Sequence, residues 1–292
     1  MGHNFSEEID YLKTCPVCLS IDPSIVRVQC DYIVLKCRCC GAFFEPCKDP
    51  MQHVRYEQSY YSSSSGGGYS NYREDMRKNR ETFFKRLLRA QSITKVETIV
   101  DFGCALGETL RVAKEIGIKR AIGLEVSKYC VSQNQKDGLE VHFPEDFFAK
   151  NQSMADLVTL QDVLEHTIDP IKMLERSYQL LKKDGVVFIC TPDIHSLSRY
   201  VLGKYWYHFK QGEHRIYFTR NSLHLALIRA GYCNVEIHSD TSFMAIERII
   251  ERFEKYNKPM FQFFRAIINS LGLGRIVIPI KIGNLAAWAR KP

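Results

Sequence analysis

From residue 96 onward, short apolar runs alternate with longer segments whose apolar positions recur every three or four residues. Residues 96–101, 120–124, 155–160 and 186–190 have the length and β-branched content of buried strands, and 139–142 reads as a shorter one. Between them, 108–116, 128–136 and 171–182 have helical spacing and stop at Gly117, Gly138 and Asp184-Gly185. Strands alternating with helices at this spacing predict an α/β domain whose parallel sheet is covered on both faces. A helix at 221–230 ends at Gly231, and 234–238 and 285–289 supply late strands. Upstream, Met76, Phe83, Phe84, Leu87 and Leu88 predict an amphipathic helix over 73–90. Two further amphipathic stretches within 246–271, divided by Pro259, are expected to pack on the core or form a dimer face rather than to touch a membrane.

Length and composition narrow the class. The chain has 292 residues, 45% hydrophobic and 25% charged, which fits one large or two smaller globular domains and excludes wholesale disorder, a fibre or a coiled coil. No apolar run approaches the roughly 20 residues that span a bilayer. The opening MGHNFSEEID lacks a basic segment followed by an apolar one, so the expectation is no secretory signal and a cytoplasmic location. The net charge of +7 is modest. Residues 73–89 hold seven basic and three acidic side chains, which reads as a solvated helix face and does not by itself argue for a nucleic-acid partner.

The cysteines are unevenly placed: of eleven, seven lie in the first 47 residues. Cys15 and Cys18 form one Cys-x-x-Cys pair and Cys37 and Cys40 another, with 18 residues between the pairs, a spacing that matches a four-cysteine zinc site. Four thiolates leave no open coordination position, so such a zinc is structural. Cys39 competes as a ligand, and Cys30 and Cys47 are spares. The predicted organisation is a zinc ribbon at 1–60, a flexible Ser/Gly loop (62–68) and amphipathic helix within 61–92, and a larger domain at 93–292 carrying a cap insertion at about 193–218. The loop at 60–72 either connects the units or closes as a second lid. A unit of about 50 residues buries little core, so metal supplies most of its folding free energy. Cys15→Ser is therefore expected to loosen the first 60 residues and leave the larger domain folded.

The predicted strand at 96–101 runs into the turn Asp101-Phe-Gly103-Cys104-Ala105-Leu-Gly107, and Glu125 ends the next strand. Glycines let a backbone approach a ligand closely, and an acid about 20 residues further on can hold ribose hydroxyls. The third glycine of a dinucleotide fingerprint is absent, and Asp101 suits a cationic nucleoside better than a pyrophosphate. These residues resemble the first motif of the class I S-adenosylmethionine (SAM)-dependent methyltransferases, with Ala105 where the family usually has glycine. Residues 161–170, 180–193 and 214–232 resemble later segments of the same family, so the resemblance covers about 80–240.

The resemblance implies a Rossmann-like seven-stranded sheet, SAM as cofactor, and cofactor contacts from Asp101, Gly103, Cys104, Gly107, Glu125, Val126, Asp146, Gln161 and Asp162. It also implies an active site after the fourth strand. His166 and His214 are the candidate general bases, ahead of His195 and His208. Asp162, Glu165 and His166 are similar to the acid-x-x-Glu-His metal motif of ubiquinone-pathway O-methyltransferases, which makes Mg²⁺ a minor alternative. Tyr200, Tyr205, Trp206, Tyr207 and Phe209, interleaved with Arg199, Lys204 and Lys210, suit a sugar, a ring or a phosphate.

The whole is similar to tailoring methyltransferases acting on sugars or natural products. The expected activity is O-methylation of a hydroxylated small molecule, sugar or glycan. The alternatives are sugar C-methylation, RNA modification with the ribbon holding RNA, and a non-catalytic SAM- and zinc-binding protein. Gln161-Asp162-Val-Leu stands where base-methylating relatives carry an Asn-Pro-Pro-Tyr type motif, which counts against nucleic acid. The expected partner is a small-molecule or sugar acceptor, with no membrane span; the oligomeric state stays open.

Overall fold

The computed structural model describes residues 14–28, 32–46, 61, 73, 76–77, 79–254 and 257–292. The expected flexible stretch at 62–68, and Cys30 and Cys47, lie outside the described residues.

Near the amino terminus, β1 (Pro23–Arg27), β2 (Ile33–Cys37) and β3 (Phe43–Phe44) form an antiparallel meander. One cysteine knuckle precedes it at residues 15–18, and a second, at 37–40, joins β2 to β3. The second turns at Gly41, whose φ of 78° lies in the left-handed region that glycine enters without steric cost.

The main sheet follows from the apolar runs. β4 (Thr98–Phe102), β5 (Arg120–Leu124), β6 (Glu140–His142), β7 (Ala155–Gln161) and β8 (Leu181–Pro192) are parallel. After the short β9 (Ile216–Tyr217) come β10 (Cys233–Ser239), the antiparallel pair β11 (Ser242–Ala245) and β12 (Val277–Ile280), and β13 (Asn284–Arg290). β13 inserts antiparallel between β8 and β10, giving the order β10-β13-β8-β7-β4-β5-β6. The expected strands are present within a few residues, except that β8 is longer at its start.

Helices α1 (Arg80–Ile93), α2 (Glu108–Glu115), α3 (Lys128–Lys136), α4 (Pro144–Phe148), α5 (Pro170–Leu180), α6 (Leu197–Leu202) and α7 (Arg220–Arg229) connect or cover the strands. Local chemistry sets their starts. Asp169 caps α5 by accepting from the Lys172 amide at 2.9 Å, with Pro170 in the first turn. Thr219 and Ser222 cap α7 reciprocally. The strands alternate in period two, so neighbours face opposite sides. Val100, Ile122, Val158 and Val187 join the core on one face, while Ile99, Ala121, Leu157 and Phe188 join the core on the other.

The cysteine-bearing segment shares the first of these cores. Cys15, Val17, Leu35, Cys37, Cys40, Ala42 and Phe44 are buried in one cluster with Val100, Leu164, Ile216, Phe218 and Leu223. β3 extends onto β9 in register Phe43↔Tyr217 and Phe44↔Ile216. The Arg229 guanidinium donates to the Val17 carbonyl at 2.5 Å.

Between β11 and β12 lie α8 (Ile246–Phe253) and α9 (Lys258–Ser270). The expectation that this region packs on the core fails for α9, which buries none of its residues. Among the described residues, no helix is long and apolar enough to cross a membrane.

Candidate active site

The carboxyl ends of β4, β5 and β7 open onto a cleft of about 710 Å³. The turn after β4 forms one wall. Gly103 has φ 62°, and a Cβ there would sit 2.7 Å from Val163 Cγ2, which also lines the cleft, so only glycine fits. Ala105 is held in the left-handed region, φ 46°, where a methyl is tolerated at a cost of about 1 kcal/mol. Cys104 and Ala105 line the cleft, whereas Gly107 does not. Gly107 turns the loop into α2 at φ 77°, where a Cβ would strike Leu139 and Asn134.

Two buried acids organise this wall. Asp101, at the end of β4, accepts a hydrogen bond from the Thr159 hydroxyl, and burial pushes its carboxyl up to about 6. A cationic ligand beside it would draw that value back down. Glu125, just beyond β5, accepts from the Ala105 amide through Oε2 and from the Ser127 amide through Oε1, both at 2.8 Å. Burial raises its pKa. Its carboxylate thus ties the glycine loop to the next strand, and each oxygen retains a lone pair for another donor. Val126 exposes its side chain into the cleft. Asp146 is exposed on α4 and is absent from the lining residues, among which Pro144 represents that segment.

The floor is Gln161 and Asp162. Gln161 donates to the Thr109 hydroxyl at 3.1 Å and accepts from Arg86 at 2.8 Å. Arg86 also pairs with Asp240 at 2.6 Å, so a nearly buried ion pair fixes the amide. Nothing in the sequence singles out Arg86, since its helix is rich in exposed bases. Asp162 is exposed, at φ 53°.

Opposite lies a histidine-rich wall. His166 ends a 3₁₀ turn after β7, and its Nδ1 donates to the Glu213 carbonyl at 2.9 Å, leaving Nε2 to accept a proton. His214 packs edge-on against His166, ring centroids 4.7 Å apart, and His208 stacks on His214 at 6.2 Å. Burial lowers His166 to about 4 and His214 well below the usual imidazole value, so both are neutral at pH 7. His195 lies outside the cleft lining, edge-on to Phe43. Of the bases expected in the cap, Lys210 lines the cleft with Tyr207, whereas Arg199 and Lys204 lie over the rings of Phe209 and Tyr205. Lys172, Arg176 and Arg248 join Lys210 in the lining. Sequence patterning missed these three because they come from α5 and from the distant α8.

Glu165 is fully buried beneath the histidines. Its Oε2 accepts from the Thr191 hydroxyl at 3.0 Å, Oε1 has no hydrogen-bond partner among the described residues, and burial pushes the carboxyl up to about 8. The expected Mg²⁺ trio of Asp162, Glu165 and His166 is not the grouping found: donor atoms of Glu165, His166 and His214 lie within 4.8 Å of one another, without Asp162. One carboxylate and two imidazoles fit Mg²⁺ poorly, since that ion demands oxygen ligands.

Glu165 is protonated in the fold up to about 8 and in the unfolded chain only below about 4.5. The stability it contributes is complete below 4.5 and is lost as pH rises through 8. Relative to Glu165→Gln, the wild type should lose about 1.4 kcal/mol per pH unit across that window. Chemical denaturation of both proteins at several pH values checks this; parallel curves would sink the assignment.

At the amino-terminal knuckles, Cys15 and Cys40 bring their sulfurs to 3.6 Å, and Cys18 and Cys37 to 3.4 Å. All four lie within 4.8 Å of one another. Sulfurs about 2.3 Å from a tetrahedral zinc would be about 3.8 Å apart, so the donor set suits such an ion. Cys39 is exposed and outside the cluster.

A seven-stranded sheet with an antiparallel strand inserted near one edge, together with this glycine turn and the acid after the second strand, defines the class as SAM-dependent methyltransferase domains. The chain belongs to the family described as methyltransferase domain, which matches residues 71–237. It is 31% identical to the ubiquinone biosynthesis O-methyltransferase of Haemophilus ducreyi over 118 residues, 36% of this chain and 48% of that protein. The match thus spans about half the length of this curated relative. Among solved structures, a SAM-dependent methyltransferase from Archaeoglobus fulgidus superposes with a TM-score of 0.51 at 20% identity, covering 75% of this chain and 98% of that one. The methyltransferase solved in complex with an activator from Haloferax volcanii gives 0.50 at 16% identity, covering 76% and 95%. At these identities the structural likeness concerns the fold.

Proposed function

We propose that this protein is a SAM-dependent methyltransferase that O-methylates a hydroxylated small molecule or sugar bearing an anionic group, and that Cys15, Cys18, Cys37 and Cys40 hold a structural zinc ion. The observation that carries the reading is a neutral, oriented histidine, His166, across one cleft from the Asp101–Glu125 cradle. When bound, SAM supplies an electrophilic methyl on a sulfonium.

The chain's own residues do the rest. Asp101 offers negative charge toward a cationic ligand, Glu125 accepts from ribose hydroxyls while steadying the loop, and Gly103 keeps the wall open. Cys104, Val126, Gln161 and Asp162 complete the cofactor side, and Gly107 acts through the turn it permits. Asp146, exposed on α4, lies outside the cleft lining. On the acceptor side, Lys172, Arg176, Lys210 and Arg248 suit a phosphate or carboxylate. Alignment of acceptor and methyl supplies much of the acceleration. His166, held by the Glu213 carbonyl, takes the hydroxyl proton on Nε2, and His214 at its edge restricts the ring.

The test is methyl transfer from labelled SAM to a panel of phosphorylated and unmodified sugars, with His166→Ala beside the wild type. The expected result is turnover with an anionic sugar, a fall in kcat of about 10²–10⁴-fold in the variant, and unchanged cofactor affinity. Equal turnover by the variant would sink the base assignment.

A further inference from the structure

Helix α9 turns its apolar stripe the wrong way for a core helix. Met260, Phe263, Phe264, Ile267 and Leu271 recur at helical spacing on one face, and all are exposed, Phe263 by 65% and Leu271 by 63%. The opposite face fastens the helix to α8. Phe261 stacks on Phe253 at 5.6 Å, and Arg265 bonds to Glu251 at 3.1 Å and pairs with Glu254 at 3.3 Å. The start of β12 adds exposed apolar side chains, Ile276, Val277 and Ile278. A monomer rarely leaves so continuous an apolar surface uncovered.

Charge selects the occupant. Residues 246–283, which carry both helices and β12, contain seven basic side chains and three acidic ones. Arg265 is spent on α8, whereas Lys258, Arg275 and Lys281 are exposed. A second copy docked across a two-fold axis would set this net-cationic surface against itself. A surface that is apolar within and anionic at its boundary matches both features: the aromatic stripe enters the acyl boundary and the cations meet lipid phosphates. We propose that α9 and the β11–β12 strand pair dock this protein on an anionic membrane surface, lying in the interface without spanning it. The ends of the same insertion reach the cleft, which Arg248 and Ile282 line, so docking sets the cleft mouth beside the lipid.

The experiment is flotation of the full chain with phosphatidylcholine vesicles and with vesicles enriched in phosphatidylglycerol, beside light scattering without lipid. The wild type is expected to float with the anionic vesicles only and to scatter as a monomer. Two double variants, Phe263→Ser with Phe264→Ser and Lys258→Glu with Arg275→Glu, should each lower vesicle binding by about tenfold or more. Both should bind S-adenosylhomocysteine in calorimetry as the wild type does, which establishes that they are folded. Absence of flotation, equal binding to neutral vesicles, or variants that bind lipid normally would overturn the proposal. So would a lipid-free dimer that the Phe263→Ser, Phe264→Ser variant dissociates, which would make the face a contact between copies.

Discussion

Glu125→Ala is expected to weaken S-adenosylhomocysteine binding by about 10²-fold or more while the chain stays folded. The Glu125 carboxylate accepts from two backbone amides at 2.8 Å and is buried to 4% exposure. Its removal costs any acceptor for ribose hydroxyls and also frees the amide of Ala105, a residue already strained at φ 46°. Hydrogen bonds to charged groups contribute about 1.5–3 kcal/mol each, so even one lost ligand contact with a loosened loop reaches that factor. Glu125→Gln keeps an acceptor oxygen and most of the shape, and should lose less. Calorimetric titration of the three proteins checks the order; an unchanged affinity in Glu125→Ala would remove the ribose assignment.

Cys40→Ser should release zinc and lower the melting temperature of the whole chain by about 10 °C or more. The expectation drawn from length alone, that losing one thiol loosens the first 60 residues and spares the rest, does not suit this architecture. Cys40 is buried in the core that contains Val100, Leu164 and Phe218. β3 is hydrogen-bonded to β9, and the Tyr32 and Tyr217 hydroxyls meet at 2.5 Å. The Glu45 amide donates to the Arg215 carbonyl at 2.8 Å, one residue from His214. Loosening the knuckle therefore reaches the histidine wall, and cofactor and acceptor binding should weaken together with stability. Zinc content by atomic absorption and a thermal melt check this. A melt in two steps, the second unchanged from wild type, would mean that the units fold independently.

The parts of the fold and site legible along the chain are those decided over short distances. The strands at 120–124 and 155–160 are visible because burial on both faces demands unbroken apolar runs. Gly117, Gly138 and Gly231, each at positive φ, end helices where the predicted stops fall. The Cys15–Cys18 and Cys37–Cys40 pairs declare a site because one turn of chain brings two sulfurs together. The first-motif glycines and Glu125 sit at strand ends, where connection length alone fixes their place. Less legible were β3 and β9, two residues each and too short to have a period. β12 escaped because its Val-Ile-Pro-Ile contains a proline that only an edge strand accepts.

By itself, then, the sequence determined the alternation of strands and helices, the glycine turn, the acid after the second strand and the pairing of cysteines, since local sterics and periodic burial decide each of these. Tertiary structure alone decided which distant groups meet. His166 and His214 face each other because the Arg215 amide donates to the Glu165 carbonyl at 2.8 Å and β9 is pinned to β3. Arg86 reaches Gln161 because α1 packs on the sheet face that carries Phe188 and Trp288. Asp146 misses the cleft lining and Lys172 joins it through the same long-range packing. Such contacts depend on the summed geometry of the core, and no window along the chain is wide enough to contain it.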